Sequence, residues 1–206
     1  DVCSSDLEVV YSDLGFILLA EVLRRVTGTA VDRFAAQEVF GPLGMSDTRF
    51  LPTGDSRNRI AATEFRPDLG RIMWGEVHDE NALALGGVAG HAGLFSTVAD
   101  LARYALMWLG EGQWQGVRIL SKAAVAAATS EETAAGERRG LGWMLRSRRF
   151  SSGGDLFSAR AFGHTGFTGT SIWCDPETGT AAILLTNRVH AGRDGKEIIR
   201  LRPRLD

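Results

Sequence analysis

Phe162-Gly163-His164-Thr165-Gly166-Phe167-Thr168-Gly169-Thr170-Ser171-Ile172-Trp173-Cys174-Asp175-Pro176-Glu177-Thr178-Gly179-Thr180-Ala181-Ala182-Ile183-Leu184-Leu185-Thr186 reads as strand, loop, strand, turn, strand. Phe162 to Thr165 and Thr170 to Cys174 are strand segments. Asp175-Pro176-Glu177-Thr178-Gly179 is rich in residues that preset a turn. Ala181 to Thr186 is a short apolar run, expected to fold back on Ser171 to Cys174 as an antiparallel hairpin. Leu141 to Arg149 is expected to add one more strand.

Upstream the period changes from two to about 3.6 residues. Leu14, Ile17, Leu18, Val22 and Val26 mark a helix from about Tyr11 to Val26, with Gly28 placed to end it. Ala30 to Val39 is a second helix, broken by Gly41-Pro42-Leu43-Gly44. Asp47 to Asn81 shows little periodicity and reads as surface connections. Ser96 or Thr97 caps a helix whose stripe is Leu101, Tyr104, Ala105, Trp108 and Leu109, and Ser121 caps another over Lys122 to Ala128. Helices come first and strands late, so the class is α+β.

The chain has 206 residues, 44% of them hydrophobic and 23% charged, with a formal net charge of -2. That balance fits one globular domain or a large part of one, and offers no field for nucleic acid. Two cysteines, Cys3 and Cys174, do not make a disulfide framework. No apolar run reaches the roughly 18 residues of a membrane span. Two arginine groups, Arg146, Arg148 and Arg149, then Arg200, Arg202 and Arg204, read as solvated faces. His78, Asp79 and His91 show no third ligand at a convincing metal spacing; His91 is expected to serve backbone groups of its glycine-rich turn. His190 reads as a surface residue.

Three clusters could carry chemistry: Tyr11-Ser12-Asp13 at a helix start, His164-Thr165-Gly166-Phe167 on a strand, and Gly90-His91-Ala92-Gly93-Leu94-Phe95-Ser96-Thr97 followed by Asp100-Leu101-Ala102. Together with Phe40-Gly41-Pro42-Leu43-Gly44-Met45-Ser46-Asp47-Thr48, they resemble, in order and spacing, the serine β-lactamase and penicillin-binding-protein superfamily, in its class C and esterase-like branch. Tyr11-Ser12-Asp13 resembles its Tyr-x-Asn element, and His164-Thr165-Gly166 its Lys-Thr-Gly element.

The resemblance implies a β-lactamase/transpeptidase-like fold and acyl-enzyme hydrolysis of a D-amino-acid peptide, β-lactam or ester. It implies that Tyr11 shuttles the nucleophile's proton, that Thr165 and Gly166 meet the substrate, and that the Phe167 N–H is an oxyanion donor. It implies a small-molecule or peptide substrate, no cofactor and no metal, and a bacterial envelope setting. Two positions depart from the family pattern. Asp13 stands for an asparagine: an ionised carboxylate only accepts hydrogen bonds, so it suits a substrate amine or a lysine. His164 stands for a lysine, which ties the charge there to pH between about 5 and 8 and argues against efficient β-lactam turnover. No serine is followed by lysine three positions on, so this stretch is expected to lack the nucleophile and to be inactive and poorly stable. Residues 1–7 are expected to be a non-native head, with 8–206 a partial domain. A non-catalytic member that binds peptidoglycan fragments or a partner, or an accessory domain fused to a cell-wall glycosidase, would share these motifs.

Overall fold

The computed structural model describes residues 10–131, 137–147 and 151–205. They form two compact units: a helical unit of 12–100 and 186–195, and a sheet unit of Tyr11, 101–185 and 196–205.

The helical unit opens with α1 (Asp13–Thr27). Ser12 caps it by accepting from the Leu14 N–H, Asp13 lies in its first turn, and Gly28 ends it at φ 71°, in the left-handed region that favours glycine. Glu21 bridges to Arg24 and Arg25 at helical spacing. The expected apolar stripe is present but mostly not packed: Ile17 is half-buried, whereas Leu14, Leu18, Val22 and Val26 are exposed.

A short α2 (Val31–Ala35) runs on into a π-helical turn, Ala36–Phe40. That turn delivers Phe40, Leu43 and Met45 to the interior. β1 (Arg49–Phe50) pairs antiparallel with β4 (Leu94–Phe95), and β2 (Phe65–Arg66) with β3 (Arg71–Ile72). The 47–81 stretch is more than a surface connection, for Met73, Val77 and His78 are buried in it. Its side chains alternate too irregularly over short pieces to leave a periodic signal. Between β3 and β4 lies α3 (Glu80–Ala84), capped by Asp79. Asp100, 2% exposed, accepts from the Asp47 N–H and the Thr48 hydroxyl and fastens the start of β1.

The sheet unit holds most of α4 (Val98–Leu109). Thr97 is the residue that caps α4, accepting from the Asp100 N–H. A small hairpin follows, β5 (Gln113–Trp114) with β6 (Val117–Arg118), and then α5 (Lys122–Ala128), capped by Ser121 as expected. The main sheet is β7 (Met144–Leu145), β8 (Phe162–Thr165), β9 (Ser171–Asp175) and β10 (Thr180–Leu184), antiparallel in the order β10-β9-β8-β7. The expected hairpin is there, with Thr180 opposite Asp175 and Leu184 opposite Ser171. The Asp175 carboxylate locks its turn by accepting from the Ser158 N–H and hydroxyl and the Glu177 N–H.

The expected strand over 141–149 is shorter. Gly142 takes φ 81°, and Gly140 N–H bonds to Trp143 C=O, so a tight turn replaces its first half. Its last two residues, Arg148 and Arg149, lie outside the described residues. Trp108 on α4 meets Trp143 and Phe162 edge-on, with centroids 5.2 and 6.0 Å away. The chain ends in α6 (Glu197–Leu205). One arginine of its cluster is not solvated: Arg202 is 7% exposed.

Candidate active site

β8 presents His164 and Thr165 at its end, opposite Ile172 and Ser171 of β9. The chain then turns through Gly166 to Thr170, closed by Gly166 N–H to Thr170 C=O at 2.7 Å and Gly169 N–H to Gly166 C=O at 3.1 Å. A Cβ at Gly166 would overlap the Thr170 hydroxyl, so the turn admits only glycine there as it stands. Phe167 is 57% exposed.

Tyr11 joins this edge of the sheet. Its ring lies 6.4 Å from that of His164, tilted by 31°. Between them stands a residue that the motifs did not announce. Arg139 places its guanidinium carbon 5.6 Å from the Tyr11 ring centroid and NH1 3.3 Å from His164 Nε2. It also pairs with the exposed Glu137 carboxylate. Arg139 belongs to the Arg138-Arg139-Gly140 run ahead of β7, and its bridge to Met144 carries it alongside the sheet. Nothing in linear spacing connects it to His164, 25 residues on.

The hydrogen bonds fix the state of His164. A guanidinium can only donate and a carbonyl can only accept. His164 Nδ1 lies 2.9 Å from the Thr165 carbonyl and Nε2 faces Arg139. The ring is therefore neutral, with its proton on Nδ1. Burial is the main force holding its pKa below the ordinary value, and Arg139 adds to it against the Thr165 carbonyl. The expected pH-variable cation is thus a neutral imidazole, and Arg139 supplies a fixed positive charge beside it.

Asp13 stands in the helical unit. Its carboxylate, that of Asp79 and a ring nitrogen of His91 all lie within 4.8 Å of one another. His91 bonds through Nε2 to Asp79 at 2.8 Å, not to backbone groups of its turn, and its side chain is only 4% exposed. Burial works to raise the Asp79 pKa, but the Ala82 N–H and His91 outweigh it and hold the carboxyl low. The sequence offered no third ligand for Asp79 and His91; folding brings Asp13 to that place, and the set could receive an ammonium group or a divalent cation. His78 goes elsewhere, to Glu64 at 2.7 Å. His190 is exposed, bonded to the Thr63 carbonyl.

The β-lactamase family pattern matches residues 3–204. The chain belongs to the β-lactamase family. An Escherichia coli O157:H7 protein with the provisional name D-alanyl-D-alanine carboxypeptidase is 36% identical over 200 residues, 88% of this chain and 45% of that protein. Its counterpart from strain K12 is 34% identical with the same coverage. The chain therefore spans about half the length of these relatives. Among solved structures, a β-lactamase from Mycobacterium bovis superposes with TM-score 0.67 at 27% identity, over 95% of this chain and 61% of that one. A penicillin-binding-protein homologue from Caulobacter crescentus shares the fold at TM-score 0.65 and 22% identity, over 90% of this chain and 54% of that one. The α+β, β-lactamase/transpeptidase-like architecture expected from the motifs is the one observed, in part of its family length. Among the described residues no helix is long and apolar enough to cross a membrane.

Proposed function

We propose that the intact protein is a serine acyl hydrolase that cleaves peptides ending in a free D-amino-acid carboxylate. The observation that carries this reading is the placing of Arg139 against His164 and Tyr11 at the end of β8. A guanidinium is a forked donor matched to a carboxylate. Arg139 would hold the substrate's terminal carboxylate, the task left open when histidine took the lysine position, and the Thr165 hydroxyl would be a further donor to the substrate. The provisional carboxypeptidase name of the E. coli relatives agrees with such a substrate.

The serine would come from outside these 206 residues, none of whose serines has a lysine three positions on. Its Oγ would attack the penultimate carbonyl carbon, with Tyr11 taking the hydroxyl proton and passing it to the departing nitrogen. The C–N bond breaks, the terminal amino acid leaves with that proton, and water then cleaves the serine ester. The Phe167 N–H would receive the negative oxygen at each tetrahedral stage. Asp13 would bind a cationic group, either a lysine of the missing half or a substrate amine.

The test is release of D-alanine by the full-length protein from an acyl-D-Ala-D-Ala peptide and from its C-terminal amide. Loss of the carboxylate should lower kcat/KM by about 30-fold or more, in line with the loss of a charge-assisted hydrogen bond. Equal rates on the two would sink the role of Arg139. Absence of any serine acylation by peptide, ester or β-lactam, followed by mass spectrometry, would sink the hydrolase reading itself.

A further inference from the structure

Arg202 projects from α6 into the sheet unit, where it is 7% exposed, whereas its neighbours Arg200 and Arg204 face solvent. Ile198, one helical turn earlier, is buried as well, so the two share the inner face of α6. From there Arg202 NH2 donates to the Gly166 carbonyl at 2.9 Å and to the Thr170 carbonyl at 2.8 Å. These are the two carbonyls that already close the turn after His164-Thr165.

The Gly166 carbonyl is one end of a peptide group, and the other end is the Phe167 N–H. The group is planar and trans, so its C=O and N–H point in opposite directions. A cation fixed on the oxygen therefore fixes the direction of that N–H. It also draws electron density through the amide resonance, which makes the N–H a stronger donor. The Thr170 contact holds the other end of the turn, so the peptide plane cannot swing about a single anchor.

We propose that Arg202 is a positioning residue for the oxyanion donor: it grips the back of the Gly166–Phe167 peptide, aims its N–H and polarises it, without touching substrate. This inference rests on the hydrolase reading for its catalytic consequence, but its structural half stands alone.

The experiment compares full-length wild type with Arg202→Lys and Arg202→Met, using kcat per active site titrated by a covalent acylating inhibitor. Misalignment of one donor should lower kcat about 10- to 100-fold in Arg202→Met, with KM within about twofold. Arg202→Lys keeps the charge but moves the donor nitrogen from the place where NH2 meets both carbonyls, and should fall between that variant and wild type. Binding of a boronic acid that mimics the anionic tetrahedral stage should weaken in the same order. Wild-type kcat per titrated site in both variants, or in Arg202→Lys where the methionine variant does not fold, overturns the proposal. Hydrogen exchange of the amides of residues 166–170, followed by mass spectrometry on the same proteins, needs no activity. Faster exchange in the variants supports the clamp even where wild type hydrolyses nothing; unchanged exchange refutes it.

Discussion

Arg139 donates to Nε2 of His164 across 3.3 Å, while His164 gives its single ring proton to the Thr165 carbonyl at 2.9 Å. Protonating that ring would set an N–H against a guanidinium, two donors and two like charges face to face. The imidazole should therefore titrate below the ordinary histidine value of about 6.5. Because the folded pKa is depressed, the unfolded chain binds more protons between the two values. The stabilisation from neutral His164 is present above about 6.5 and is lost as pH falls through the folded pKa. Arg139→Met removes the charge but leaves the burial, so the pKa should rise part of the way back. An NMR titration of the imidazole carbons reads both; a wild-type His164 titrating above 6.5 contradicts the neutral assignment.

Acid should also attack the helical unit at Glu64. Arg193 meets that carboxylate through Nε and NH2 at 2.8–2.9 Å, and His78 adds a bond of 2.7 Å. The Arg193 hydrogen bonds, with His78 assisting against burial, lower the Glu64 pKa from 4.5 to about 2. Here too the folded value is depressed, so the contribution is whole above 4.5 and disappears as pH falls toward about 2. Glu64→Gln should cost about 1–3 kcal/mol at neutral pH, the range for a charge-assisted bond. It should also flatten the fall of the urea midpoint between pH 4.5 and pH 2. A variant that loses stability with acid as steeply as wild type would place the acid sensitivity elsewhere.

Two glycines separate a yielding clash from an unyielding one. A Cβ at Gly166 would overlap the Thr170 hydroxyl, which is a side chain. A Cβ at Gly90 would overlap the Phe16 carbonyl oxygen and come 3.2 Å from the Ala20 Cβ, so the obstacle is the backbone of α1. Gly166→Ala should destabilise, and Thr170→Ala should restore most of the loss. Gly90→Ala should cost about 1–3 kcal/mol, the usual range for overpacking, unless α1 moves as a body. Denaturant midpoints of the three variants decide it: failure of Thr170→Ala to rescue Gly166→Ala would mean that the turn needs glycine for another reason.

What was legible in the sequence was whatever a short stretch encodes by itself. Ser121, Gly28 and the Asp175 to Gly179 turn act on neighbours within four residues, so α5, α1 and the β9–β10 hairpin were readable with near-correct ends. The motif residues Tyr11 and His164 were readable by resemblance, and folding sets them side by side. Arg139 and Arg202 were not. Each acts on groups 25 or more residues away, and each sits in an arginine-rich run whose usual meaning is a solvated face. The third member beside Asp79 and His91 was hidden for the same reason. Asp13 reaches them only because α1 lies against the Gly90 segment, a contact made through a glycine with no side chain to advertise it.

That same helix carries the last prediction. Leu14, Leu18, Val22 and Val26 of α1 are 68%, 65%, 54% and 79% exposed, and none of the helix is buried. Four aliphatic side chains at helical spacing form a continuous apolar stripe, and stripes of this kind drive association in water. The 206-residue chain on its own should therefore self-associate at micromolar concentration and bind a hydrophobic dye. Leu18→Lys with Val22→Glu puts charges of opposite sign at i and i+4 on that stripe, where they can pair without disturbing α1. The double variant should run closer to a monomer in size-exclusion chromatography with light scattering and bind less dye, with a thermal midpoint no lower than that of wild type. Unchanged association would move the sticky surface off α1. A fall in the midpoint would mean that these side chains are packed in solution, against the exposure that the fold assigns them.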